Sequence, residues 1–170
     1  MKACRRGAVG VAWEVGMRVY LVRHGDAKPK DVDPNRGLSA KGLRDVQQVA
    51  AFLKPLGIRV STIWHSGKTR ASQTAQTMAT VVTSQEGVVE HEGLAPNDPI
   101  GPVKKALRKA DADVMIVGHL PSLSRLASAL VVGDEAAEVI TFPAGGVLCV
   151  ERDDEGDWAI AWMMVPALVP

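Results

Sequence analysis

Arg23, His24 and Gly25 follow directly on an apolar run, Val19-Tyr-Leu-Val22. A neutral imidazole nitrogen is nucleophilic near neutral pH, where a serine hydroxyl would need a partner base. Further along, Ser66-Gly-Lys-Thr-Arg70 follows a second such run, Val60–Trp64, and Gly118-His119-Leu-Pro121 follows a third, Val114–Val117. Arginine stays cationic and offers a planar fork of donors that matches phosphate oxygens. Phosphoryl transfer depends mainly on positioning and charge stabilisation. The set Arg23, His24, Arg70 and His119 therefore predicts transfer of a phosphoryl group through a covalent intermediate on His24. His119 is expected to donate a hydrogen bond to the equatorial oxygens. Arg70 falls near the start of a helix whose first N–H groups also favour an anion. Each residue alone has a plainer reading: His-Gly as strand-end structure, Arg23 as a surface cation, His119 as a helix cap. Their recurrence at three successive strand ends favours chemistry.

The positioning elements can be read from periodicity. Arg18–Val22 is expected as a buried strand and residues 26–38, rich in Asp, Pro, Lys and Gly, as a loop. Ser39 can cap a helix whose inward positions are Leu43, Val46, Ala50 and Leu53, with Gly57 ending it. Val60–Trp64 is a second strand, and Ala71–Val82 an amphipathic helix. Residues 86–102 are expected as a loop, followed by a short helix through Val103 and Ala110. Val114–Val117 is a third strand, followed by a helix with Leu123, Leu126, Ala127 and Leu130 inward. Gly146–Val150 and Trp158–Val165 suggest a hairpin across the acidic turn Asp153–Gly156. Strands alternating with helices predict an α/β three-layer sandwich, with a mostly parallel sheet and helices on both faces. Ligands in such sheets bind beyond the carboxyl ends of the strands, which would gather the four residues into one pocket.

The 170 residues suffice for one domain, expected over 17–170, with residues 1–16 as a disordered N-terminal extension ahead of Met17. Lys and Arg number 20 against 19 Asp and Glu, a balance that gives no electrostatic case for nucleic acid or a membrane surface. Cys4 and Cys149 are far apart and lack metal-ligand spacing, so neither a disulfide scaffold nor a zinc site is expected, and a reduced cytoplasmic setting fits. His65 is expected to be structural and His91 exposed. Lys104, Lys105, Arg108 and Lys109 read as a solvated helix face, and Trp158 and Trp162 as strand packing.

Leu21-Val-Arg-His-Gly25 resembles the signature of the histidine phosphatase superfamily, which includes the phosphoglycerate mutases. Ser66–Thr74 resembles its second motif, Val117–Pro121 its third, and Arg36–Gly42 a segment common between the first two. The likeness spans residues 17–165. The short chain, the start Arg-His-Gly-Asp-Ala and the ending Gly-His-Leu-Pro are similar to the compact SixA-type phosphohistidine phosphatases. The resemblance implies the histidine phosphatase (phosphoglycerate mutase-like) fold. It implies His24 as nucleophile, with Arg23, Arg70 and His119 holding the phosphoryl group, and no metal or organic cofactor. Gly67 departs from the family, which usually has proline there.

Larger relatives supply an Asp or Glu that protonates the leaving oxygen. Here the family position falls on Gly93. Glu92 and Asp26 are the weak candidates for an acid, with Ser66 as a possible pocket-rim group, and Glu90 and Asp98 nearby. An alkoxide leaving group needs protonation in the transition state. The conjugate acid of imidazole has a pKa of about 6.5, so phosphohistidine needs less help. The expected activity is thus dephosphorylation of phosphohistidine on a phosphotransfer protein by a monomer. The alternatives are a small-molecule phosphomonoesterase of the same chemistry and a non-catalytic phosphate-recognition module.

Overall fold

The computed structural model describes residues 16–170. The expected extension, apart from Gly16, and Cys4 lie outside the described residues. Among the described residues, eight strands and four α-helices follow in the order β1 (Met17–Arg23), α1 (Ala40–Leu53), β2 (Arg59–Val60), β3 (Thr62–His65), α2 (Thr69–Met78), β4 (Thr83–Ser84), β5 (Val88–Glu90), α3 (Gly101–Lys109), β6 (Val114–Gly118), α4 (Ser122–Val131), β7 (Val147–Arg152) and β8 (Trp158–Met164).

The main sheet has the order β5-β3-β6-β1-β7-β8. The first four strands are mutually parallel, and β7 and β8 close one side as an antiparallel hairpin. Alternation along β1 sends Val19 and Leu21 to one face and Tyr20 and Val22 to the other. Val19 and Leu21 pack with residues of α3 and α4, including Leu107, Leu123 and Leu126. Tyr20 and Val22 pack with Val46, Val49 and Leu53 of α1 and Ala71, Ala75 and Met78 of α2. The expected three-layer sandwich is thereby formed. Each fully buried Leu, Ile, Val or Met stabilises it by about 1.5–3 kcal/mol relative to exposure.

Several boundaries differ from the sequence reading. The second strand is split at Ser61, and its first half pairs with β4 in a separate two-stranded sheet. Residues 86–102 are not all loop: Val88–Glu90 add a parallel edge strand to β3. Three residues give too short a period for alternation to show. Leu43 is 40% exposed rather than inward, and Val49 takes its place in the buried stripe. Ser39 caps α1 by accepting the Gly42 N–H at 2.9 Å. Among the described residues, no helix is long and apolar enough to cross a membrane.

Candidate active site

The three strands that end in motif residues lie side by side as β3-β6-β1. Register pairs Arg23 with Gly118 and His65 with Val117, so the segments leaving these strands start at the same level. The His24 N–H donates to the Gly118 carbonyl at 3.1 Å, and the Gly145 N–H reaches the carbonyls of both Arg23 and His24. The Gly25 N–H donates to Thr74 Oγ1 at 3.1 Å, and that hydroxyl donates to the Arg70 carbonyl at 2.8 Å. The nucleophile candidate is therefore clamped from β6, α2 and the loop before β7.

His24 Nδ1 lies 2.7 Å from the Gly25 carbonyl, and Arg70 Nε donates to His24 Nε2 at 3.2 Å. An acceptor on one nitrogen and a donor on the other fix one neutral tautomer, with the proton on Nδ1 and the lone pair on Nε2. Burial pushes the titration of His24 down to about 4, against the raising effect of the Gly25 carbonyl and with help from Arg70, Arg23 and Arg36. At neutral pH the ring is therefore neutral, with Nδ1 protonated and the Nε2 lone pair able to attack.

His119 is buried, and its ring centroid lies 4.7 Å from that of His24. Its Nε2 is 2.5 Å from Ser66 Oγ, while its Nδ1 is buried with no hydrogen-bond partner. Burial, then His24 and the neighbouring cations Arg70, Lys68 and Arg23, push its titration down to about 3. Arg23 donates from one terminal nitrogen to the Phe142 carbonyl at 2.6 Å, and its Nε is also buried without a partner. A buried polar atom without a partner is costly, and phosphoryl oxygens would satisfy both. Burial lowers the titration of Arg23 and, with Arg36, that of Arg70. Both guanidiniums remain charged at neutral pH. The N-terminal turn of α2 carries no side-chain cap and brings its positive end to the same place.

The structure thus brings His24, Arg70, His119 and Ser66 into direct contact, with Arg23 beside them. The weaker acid candidates fall outside that group. Asp26 is committed to the start of α1: its carboxylate accepts the Ser39 hydroxyl at 2.6 Å and its carbonyl the Ser39 N–H at 2.9 Å. Its charge acts on Arg23. Glu92 is exposed on the turn after β5, with no side-chain hydrogen bond or ion pair among the described residues. Asp98 accepts the Ala95 N–H at 2.9 Å and so closes its own turn. Glu90 comes closest to the second motif, for a Cβ on Gly67 would collide with its carboxylate. Gly67 also sits at φ +77°, which proline cannot adopt, so the departure at this position has a local backbone cause. His65 supports the same turn by accepting the Gly67 N–H at Nδ1, 3.0 Å away. His91 is half-buried rather than exposed, stacked on Trp64 with ring centroids 4.2 Å apart.

Sequence reasoning assigned no role to Phe142 and Gly145, whose backbone groups hold Arg23 and His24, nor to the charges of Arg36 and Lys68. The backbone contacts leave no side-chain pattern to find. Among the described residues, no group of three or more His, Cys, Asp or Glu could hold a metal ion.

Comparison with known proteins gives a consistent picture. The family model described as histidine phosphatase superfamily (branch 1) matches residues 19–95. An uncharacterized protein of Picosynechococcus sp. is 33% identical over 124 residues, covering 69% of this chain and 74% of that one. Among solved structures, the protein histidine phosphatase SixA complexed with tungstate superposes with a TM-score of 0.79 at 24% identity, over 91% of this chain and 100% of that one. A phosphoserine phosphatase of Entamoeba histolytica, solved as a mutant with phosphoserine, gives 0.64 at 14% identity, over 86% and 96% of the two chains. At these identities the structural likeness is one of fold.

Proposed function

The chain belongs to the histidine phosphatase superfamily, and on that premise we propose that it dephosphorylates phosphohistidine on a phosphotransfer protein, by way of a phosphohistidine intermediate on His24. The observation that carries this reading is the hydrogen bond from Arg70 Nε to His24 Nε2. It locates the nucleophilic lone pair in the field of a guanidinium, beside the buried donor positions of Arg23 and His119.

That geometry supports the following steps. The phosphoryl group enters between Arg23, Arg70 and His119, and its oxygens take over the guanidinium hydrogen bonds. His24 Nε2 attacks phosphorus while the bond to the leaving nitrogen breaks; the substrate ring, protonated on its other nitrogen, keeps the electron pair and departs as neutral imidazole. The ring of His24 gains positive charge as the new bond forms, and the Gly25 carbonyl on Nδ1–H stabilises it. Ser66 donating its hydroxyl hydrogen to His119 Nε2 keeps the proton of neutral His119 on Nδ1, the nitrogen that has no protein partner. Water then attacks phosphorus, releases inorganic phosphate and restores His24.

The leaving group is argued from the carboxylates. Among the described residues, none hydrogen-bonds to His24, Arg70, His119 or Ser66. A leaving imidazole requires less protonation than an alkoxide. The deciding experiment incubates the protein with phosphohistidine-bearing phosphotransfer domains and, in parallel, with a panel of phosphate monoesters that includes phosphoserine. Faster loss of phosphohistidine supports the proposal; strong preference for a sugar phosphate or phosphoserine overturns it in favour of a small-molecule phosphatase. Failure to trap phosphate on His24 during turnover overturns the covalent route.

A further inference from the structure

Arg36 lies in the segment between the first two motifs and has no part in holding the nucleophile. Its backbone is left-handed, at φ +50°, where a residue other than glycine is strained by about 1–2 kcal/mol. The surrounding turn enforces that conformation. The Asp33 carboxylate accepts the N–H groups of Asn35 and Gly37 at 3.0 and 2.9 Å, and the Asp33 carbonyl accepts that of Arg36 at 2.8 Å. The next residue but one ties the turn to the site: the Leu38 N–H donates to Gln73 Oε1 at 2.7 Å. Gln73 stands one helical turn beyond Arg70 on α2. Arg36 is thus carried to the helix that bears Arg70, and its charge reaches both Arg70 and His24.

Lys68 immediately precedes α2, is exposed, and its charge reaches His119. Neither cation forms an ion pair among the described residues, Glu90 included. Arg36 makes one side-chain hydrogen bond, a long one of 3.4 Å to the Lys28 carbonyl. A phosphoryl group carries at most about two negative charges, which Arg23 and Arg70 already balance. Two additional cations held beside it call for negative charge elsewhere on the substrate.

We infer that Arg36 and Lys68 form a recognition rim that selects an acidic protein surface around the phosphorylated side chain. The inference rests on the proposed function, in which the substrate is a phosphoprotein. Arg36 is a specificity residue of this rim, outside the bond-breaking steps. The Asp33 turn and the Leu38–Gln73 hydrogen bond hold the strained Arg36 backbone beside α2.

Binding separates this inference from the catalytic reading. The His24→Ala protein is titrated with two phosphopeptides, identical except that one has aspartates and the other asparagines flanking the phosphorylated residue. The expected result is about tenfold tighter binding of the acidic peptide at low ionic strength, lost at about 0.5 M salt. Adding Arg36→Gln or Lys68→Gln to the His24→Ala protein should reduce that preference to within about twofold. Equal affinity for the two peptides, or a preference that survives both substitutions, overturns the rim. Turnover of the same peptides by the intact protein is measured separately: absence of phosphohistidine hydrolysis sinks the proposed activity and leaves the binding result standing.

Discussion

Arg70 Nε donates a hydrogen bond of 3.2 Å to His24 Nε2, so the cation of the second motif is held against the lone pair of the first. The two residues are 46 positions apart, and β3 and β1 bring them together from either side of β6. A phosphoryl group that displaced this bond would meet the proposed nucleophile and the guanidinium at once.

Arg70→Lys keeps the charge and loses the planar donor set. We expect kcat/KM to fall by about 100-fold or more, the scale for removal of a donor aimed at developing charge. Arg70→Ala should fall at least as far. Steady-state kinetics on any turned-over phosphate compound would measure both, and full activity in the lysine variant would show that charge alone suffices.

Ser66→Ala tests the second histidine. In the proposed mechanism the hydroxyl 2.5 Å from His119 Nε2 donates to it and so favours the tautomer with the proton on Nδ1. Its loss should lower kcat by about 10–100-fold, the range for outer partners that orient a functional histidine, with little change in stability. Nitrogen NMR of His119 should show Nδ1–H in the native protein and a mixture in the variant. An unchanged tautomer with lowered kcat would refute this role for Ser66.

The candidate site is legible in the sequence because the motif residues sit where apolar runs stop. Runs of four or five β-branched or aliphatic residues mark buried strands, and a parallel sheet brings their carboxyl ends together. What stayed hidden was held by backbone. Phe142 and Gly145 secure Arg23 and His24 through a backbone carbonyl and a backbone N–H, contacts that carry no side-chain signature. Asp26 reads as a candidate acid because it follows the triplet directly. Its partner Ser39 is 13 positions on, and only the folded turn shows that the carboxylate is engaged there. The edge strand β5 escaped because two of its three residues are exposed and form no periodic pattern.

The buried histidines make stability depend on pH. In the unfolded chain both titrate near 6.5; in the folded protein His24 titrates at about 4 and His119 at about 3. Below pH 6.5 the unfolded state therefore binds more protons, and unfolding becomes easier as pH falls. The loss develops between 6.5 and 4 for His24 and continues to 3 for His119. Each tenfold difference in proton affinity between the two states corresponds to about 1.4 kcal/mol. Urea denaturation from about pH 7 to 4 should show this decline, and His119→Gln should flatten it. A decline as steep in that variant would assign the effect to other groups.

Gly42 offers a test of how α1 supports the proposed nucleophile. It lies in the first turn of α1, and a Cβ there would collide with the backbone N, C and O of Asp26, two residues beyond His24. Alanine favours a helix over glycine by about 1 kcal/mol, so propensity alone predicts a gain from Gly42→Ala. Backbone atoms cannot swing aside as a side chain can, and forcing an extra carbon into a packed contact costs about 1–3 kcal/mol or more. We expect the contact to win: the variant should be less stable and, because the displaced backbone continues into Gly25 and His24, lower in kcat. Ser39→Ala is the companion measurement. It removes the cap of α1 and the hydroxyl bond to Asp26, at a cost of about 1 kcal/mol, while leaving the Asp26–Gly42 contact in place. Urea unfolding and kcat on both variants separate the two effects. A Gly42→Ala protein that is more stable and fully active would show that α1 can move away without disturbing His24.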